Sequence, residues 1–120
     1  MIQYGRQDIT QADIDAVTEV LGSLNLTQGP AVPRFEQSVM DHTGADFAVA
    51  VNSATSALHI ACLALDLGPG DWLWTTPNTF VASANCALYC GAQVDFVDTD
   101  PHTYNISPEK LEEKLIAARQ

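Results

Sequence analysis

The stretch Val49-Ala50-Val51-Asn52-Ser53-Ala54-Thr55-Ser56-Ala57 leads a β-branched apolar run into a turn of small, hydroxyl-bearing residues, and a long Ala- and Leu-rich segment follows. A strand feeding a helix here leaves the first helical turn with free backbone N–H groups and the positive end of the helix dipole. That combination suits an anionic ligand. Ala54 and its neighbours are small enough to let a phosphate reach the main chain, and the hydroxyls of Ser53, Thr55 and Ser56 add donors. The same residue types also suit a plain N-cap at Asn52 or Ser53 on a core helix, and local chemistry leaves both roles open.

Few other residues are placed to do chemistry. Phe80 falls just past the end of an expected strand, where its ring can stack on a planar ligand or pack as a core aromatic. His59 interrupts an apolar helix and reads as a hydrogen-bonded core histidine more readily than as a catalyst. Asp98 and Asp100 have no accompanying ligands and belong to a turn rather than to a metal. There is no Gly-x-Gly-x-x-Gly and no Walker loop, so the usual cradle for a dinucleotide or nucleoside triphosphate is missing. Cys62, Cys86 and Cys90 lie in apolar, helix-like context and read as reduced core thiols. The only lysines, Lys110 and Lys114, fall on the surface face of the last expected helix.

The elements that must position these residues follow an alternating pattern. Thr10 caps a first helix carrying Ile14, Val17, Leu21 and Leu24, and Leu26-Thr27-Gln28-Gly29-Pro30 connects it to a second that stops at Thr43-Gly44. Phe47–Val51 reads as a strand covered on both faces, and a helix from about Thr55 to Leu67 should be sandwiched inside the molecule. Gly68-Pro69-Gly70-Asp71 is a turn before a second strand, Trp72–Thr76. Asn78-Thr79 can cap a helix from Phe80 to Tyr89, followed by a third strand, Val94–Asp98. After a polar loop, Ser107 caps a charged helix with Pro108 at its first position. Strands alternating with helices predict an α/β fold with a mainly parallel sheet and flanking helices.

Composition narrows the function classes. A hydrophobic content of 47% supports a folded core, and a net charge of −10 argues against nucleic-acid binding and against a polybasic membrane contact. The apolar run after Thr55 is too short to span a bilayer, and the first residues lack a signal-peptide pattern, so the expected location is cytoplasmic.

Asn52-Ser53-Ala54-Thr55-Ser56-Ala57-Leu58-His59 resembles the N-S-(G/A)-T-(A/S)-A-L-H segment of the DegT/DnrJ/EryC1/StrS family of sugar aminotransferases, which are fold-type I enzymes using pyridoxal 5'-phosphate (PLP). Thr76-Pro77-Asn78-Thr79-Phe80-Val81-Ala82-Ser83-Ala84-Asn85 is similar to the family's P-x-(F/N)-T-F-V-A-(T/S)-x-N segment. Leu67–Asp71, Gly91-Ala92 and Val97–Pro101 ahead of Asn105-Ile106 also match. Thr99 and Trp72-Leu73 depart from the residues more usual there. With Leu26-Thr27-Gln28-Gly29 upstream, the wording resembles the subgroup that aminates a 4-keto UDP-sugar on the way to pseudaminic acid.

The resemblance implies that Thr55 and Ser56, with Ala54, hold the cofactor phosphate and that Phe80 lies against the pyridine ring. Asn85 either joins the site or anchors its helix. Thr27, Gln28 and Tyr4 become substrate-binding candidates for a UDP-linked 4-keto-6-deoxy sugar. Glutamate is the implied amino donor, and a homodimer the implied assembly. Family members supply the Schiff-base lysine, and the acidic partner of the pyridine nitrogen, from chain beyond residue 120. The resemblance therefore implies that 1–120 is the N-terminal portion of the large domain, with helices in 1–45 and the start of the α/β sheet in 46–120. Two alternatives stand beside it: a family relative that dehydrates the sugar, and a non-catalytic α/β binding domain.

Overall fold

A computed structural model of the chain describes residues 5–118, and it divides into two compact units, Met1–Ala50 and Val51–Gln120.

The first unit contains α1 (Gln11–Leu21) and α2 (Ala31–Thr43). Thr10 and Asp13 form a reciprocal capping box. The Asp13 carboxylate accepts the Thr10 backbone N–H and hydroxyl, both at 2.7 Å, while Thr10 Oγ1 accepts the Asp13 N–H at 3.4 Å. These bonds, the backbone one first, hold the Asp13 carboxyl below its ordinary pKa. Gly44, at φ 74°, ends α2 in the left-handed conformation that a residue without Cβ adopts at least cost.

Residues 47–50, expected as most of a strand, form no β ladder. Phe47 is 89% exposed, and the Ala50 N–H donates to Glu36 Oε1 of α2 at 2.8 Å. A strand exists only where a neighbour supplies the other half of its hydrogen bonds. No described residue does so here.

In the second unit, β1 (Trp72–Thr75), α4 (Ala82–Tyr89) and β2 (Gln93–Phe96) make a parallel β-α-β unit, with Trp72 paired to Gln93 and Thr75 to Phe96. The ladder is extended at both ends, where Gln93 N–H donates to Asp71 C=O at 2.9 Å and Val97 N–H to Thr75 C=O at 2.8 Å. Helix α4 packs on both strands and on α3 (Ala54–Ala64). The core between them is built of small side chains: Cys62, Ala82, Cys86, Ala87, Ala92 and Val97.

Helix α3 is shorter and less covered than its apolar sequence predicts. Of its residues only Cys62 is buried, and Ile60 and Leu63 are exposed. Among the described elements of this unit, α4 is its main packing partner, so one face is covered and the others are not. The helix stops at Leu65 because Asp66 turns left-handed (φ 55°). Asp66 N–H then bonds Leu63 C=O at 3.0 Å, and Leu67 N–H bonds Cys62 C=O at 3.1 Å. This is a Schellman motif. The same pattern ends α4, where Gly91 (φ 77°) donates to Leu88 C=O and Ala92 to Ala87 C=O, each at 3.0 Å.

Between β2 and α5 (Pro108–Ala118) the chain turns on Asp100. Its carboxylate accepts the N–H groups of His102 at 2.8 Å and Thr103 at 2.7 Å. Those bonds, that of Thr103 first, hold its carboxyl below the ordinary range. Ser107 caps α5, its Oγ accepting the Lys110 N–H at 3.2 Å. Lys114 differs from the expected surface lysine. Its ammonium is half-buried, bonded to Asp95 and to the Phe96 C=O at 2.8 Å, and sits 5.1 Å from the Trp74 ring centroid.

Candidate functional site

The turn that opens α3 is held from within. Ser53 sits in extended backbone (φ −162°, ψ 156°), and its Oγ accepts the Ser56 N–H at 3.2 Å. Asn52 Oδ1 accepts the Ser56 hydroxyl at 2.7 Å and lies 3.3 Å from Ser53 Oγ, while the two serine hydroxyls are 3.1 Å apart. Ala57 N–H bonds Ser53 C=O at 3.1 Å in the normal helical way.

Ser53 therefore fills the N-cap role, and the Ser56 amide and hydroxyl already have protein partners. The backbone N–H groups of Ala54 and Thr55 have no acceptor among the described residues, nor does the Thr55 hydroxyl have a partner there. Ala54 is exposed and Thr55 half-buried, so the first turn of α3 presents two main-chain donors beside one free hydroxyl. The helix dipole adds a partial positive charge at the same end.

Phe80 belongs to the same unit but not to a helix. Helix α4 begins two residues later than its sequence suggests, because the entry is a tight turn in which Ser83 N–H bonds Phe80 C=O at 3.0 Å. Thr79 Oγ1 and Ser83 Oγ, 3.0 Å apart, brace that turn in place of a side-chain cap. The result leaves the Phe80 ring 74% exposed, so it is not a core aromatic within this chain. Asn85 is half-buried within α4. His59, also half-buried, meets the edge of the Tyr89 ring at 5.2 Å between centroids.

In the other unit, Gln28 adopts φ 55° and lines a small cleft of ≈ 100 Å³ together with Leu26, Pro30 and Arg34. Thr27 is exposed and lies outside that lining. A cavity that size is well below the roughly 300 Å³ at which small-molecule sites begin, so by itself it does not enclose a nucleotide sugar. Gly29 makes this loop possible, since a Cβ there would lie 2.7 Å from the Asn25 carbonyl oxygen. Tyr4, the remaining substrate candidate, lies outside the described residues.

The geometry thus resolves into a helix-start donor pair, an exposed aromatic after a parallel strand, and a strained loop in the other unit. The sequence profile of the DegT/DnrJ/EryC1/StrS aminotransferase family matches residues 7–120. The chain belongs to this family. Among curated family relatives, a UDP-4-amino-4,6-dideoxy-N-acetyl-beta-L-altrosamine transaminase of Campylobacter jejuni is 46% identical over 97% of the chain and 30% of the relative. The spore coat polysaccharide biosynthesis protein SpsC of Bacillus subtilis is 44% identical over 92% of the chain and 28% of the relative. A protein described as a sugar aminotransferase from Streptococcus pneumoniae, solved in its PLP form, superposes with a TM-score of 0.85. It is 32% identical, over 93% of this chain and 29% of that one. The chain thus spans about 30% of the length of these curated relatives. Its α/β architecture, with a parallel sheet and flanking helices, is shared with that solved aminotransferase. Among the described residues no helix is long and apolar enough to cross a membrane.

Proposed function

We propose that residues 1–120 form the cofactor-phosphate and ring-binding portion of a PLP-dependent sugar-nucleotide aminotransferase. The supporting observation is the start of α3, where the N–H groups of Ala54 and Thr55 and the Thr55 hydroxyl have no partner among the described residues while Asn52 and Ser53 hold the turn. A phosphate monoester needs several converging donors at a positive helix end, and a small residue at position 54 leaves its approach open. The turn fits that group. Ser56 fits it only if its hydroxyl turns from Asn52 or contributes as an acceptor-paired brace behind Thr55.

When bound, PLP supplies the aldehyde and the electron-withdrawing ring on which amino transfer depends. In this chain the Ala54 and Thr55 N–H groups and the Thr55 hydroxyl would hold its phosphate, Ser56 would brace the turn through Asn52 and Ser53 and reach the phosphate only if its hydroxyl turned from Asn52, and Phe80 would lie against the ring. Both lysines are ion-paired on α5, Lys110 with Glu113 at 2.9 Å and Lys114 with Asp95. We infer, as the family resemblance implies, that the amine engaging the cofactor comes from chain outside residues 1–120.

For the whole protein we infer amino transfer, with glutamate as donor, to C4 of a UDP-linked 4-keto-6-deoxy sugar in pseudaminic acid or related surface-polysaccharide biosynthesis. Support comes from the 46% identity to the altrosamine transaminase. Thr27, Gln28 and Tyr4 are the proposed substrate contacts, and a homodimer is the proposed assembly. The test is a coupled assay on the full protein, with PLP, glutamate and a UDP-4-keto-6-deoxy sugar. Stoichiometric 2-oxoglutarate and amino-sugar formation is expected. Sugar dehydration without 2-oxoglutarate, or no turnover with bound cofactor, contradicts the assignment.

A further inference from the structure

Two rings meet where α3 packs on α4, those of His59 and Tyr89, with 5.2 Å between centroids and 61° between planes. Besides Ser56, which the cap takes up, the covered residues of α3 are Thr55, His59 and Cys62. Their spacing puts them in one stripe, with His59 one turn below Thr55. The ring contact shows that this stripe faces α4. The two helices also run the same way, since the chain just past one lies against the chain just past the other. A Cβ on Gly68 would be 4.0 Å from the Cys90 carbonyl oxygen, and one on Gly91 3.4 Å from Pro69 Cγ. At about 1.5 Å of rise per residue, the ring contact lies about 7.5 Å along α3 from Ala54 and about 10.5 Å along α4 from Ala82. The first turn of α3 and the turn that carries Phe80 are therefore at the same end of the pair, the two helix starts level to within about 3 Å.

We propose that His59 and Tyr89 are positioning residues whose ring contact sets the spacing between Thr55 and Phe80. This role rests on the cofactor assignment above. An edge-on aromatic pair has a preferred separation and angle, so it resists sliding of α3 along α4 better than aliphatic packing does. A ligand that touches both ends gains from a fixed spacing, because its second contact then costs no further ordering. PLP is such a ligand, with its phosphate at Thr55 and its ring at Phe80. Pyridoxal, which lacks the phosphate, and inorganic phosphate, which lacks the ring, each touch one end only. His59 and Tyr89 act through the helices that carry them, not on the ligand itself.

The test titrates the full protein and its variants with PLP, pyridoxal and inorganic phosphate by calorimetry. His59→Ala and Tyr89→Ala should each weaken PLP binding about 3- to 10-fold and leave the two single-ended ligands unchanged. The double variant should be no weaker than either single one, since both remove the same contact. His59→Phe, which keeps a ring against Tyr89, should restore PLP binding. Tyr89 is exposed, so Tyr89→Ala keeps the fold even if His59→Ala does not. Equal weakening of all three ligands, or no rescue by His59→Phe, makes the contact merely structural and overturns the proposal. PLP binding weakened in Thr55→Val but not in Tyr89→Ala overturns the positioning role alone. PLP binding unaffected in both overturns the phosphate site as well.

Discussion

Asn52 Oδ1 accepts the Ser56 hydroxyl at 2.7 Å, one helical turn on, and so holds the start of α3 in place. Ser53 accepts the Ser56 N–H from the other side. A preorganised turn loses little freedom on binding, which is how a short peptide segment can hold an anion tightly.

Because Ser53 is the N-cap, Ser53→Ala should cost about 1 kcal/mol of stability, and Ser53→Asp should recover most of it in the ligand-free protein. Urea unfolding midpoints measure both. Equal midpoints for wild type and Ser53→Ala would show that the cap is not engaged in solution.

The end of α4 depends on a residue without Cβ. Gly91 has φ 77°, and a Cβ there would lie 3.4 Å from Pro69 Cγ. Gly91→Ala should therefore destabilise by about 1–2 kcal/mol. Asp66 occupies the equivalent position of α3 at φ 55°, so Asp66→Gly should be neutral or stabilising. A larger loss at Asp66 than at Gly91 would contradict this reading of the two helix ends.

Much of this was legible in the sequence, and the exceptions share a cause. Thr10, Gly44 and Ser107 act as read, since caps are decided by a few neighbouring residues. The β-α-β order and the turn at Gly68–Asp71 also stand, with Asp71 N–H bonding Gly68 C=O at 3.0 Å. Phe47–Val51 was not realised as a strand, and α3 is not sandwiched, because an apolar pattern states a preference for partners without supplying them. Phe80 falls outside α4 since Thr79 and Ser83 pair across the turn instead of capping a longer helix. Lys114 packs over Trp74 because its stem is long enough to cover the ring while its charge reaches Asp95, which helical spacing alone does not reveal. At the site, the small hydroxyl-rich turn could be read from residue types, whereas its internal division between Asn52, Ser53 and Ser56 required geometry.

That lysine makes a pH prediction. The Lys114 hydrogen bond, ahead of the Phe96 backbone bond, lowers the Asp95 carboxyl pKa from its ordinary value. A depressed folded-state pKa contributes stability that is present above the unfolded value and is lost as pH falls through the folded one. Lys114→Met should raise the Asp95 pKa in a carboxyl NMR titration and flatten the acid limb of the stability profile. An unmoved Asp95 titration would mean the ion pair does not persist in solution.

Phe80 is exposed, so Phe80→Ala should barely change the melting temperature while weakening PLP retention in the full protein by about 3- to 10-fold, the worth of one aromatic stacking contact. Phe80→Tyr should restore retention. Wild-type cofactor affinity in Phe80→Ala would remove the ring-stacking role.

The start of α3 is the phosphate site we propose. It is tested most directly by titrating the full protein, wild type and Thr55→Val, with PLP and with pyridoxal, which lacks the phosphate. Loss of one charge-assisted hydrogen bond should weaken PLP binding about 10-fold or more in Thr55→Val and leave pyridoxal binding unchanged. Equal weakening of both ligands, or no change in either, would contradict it.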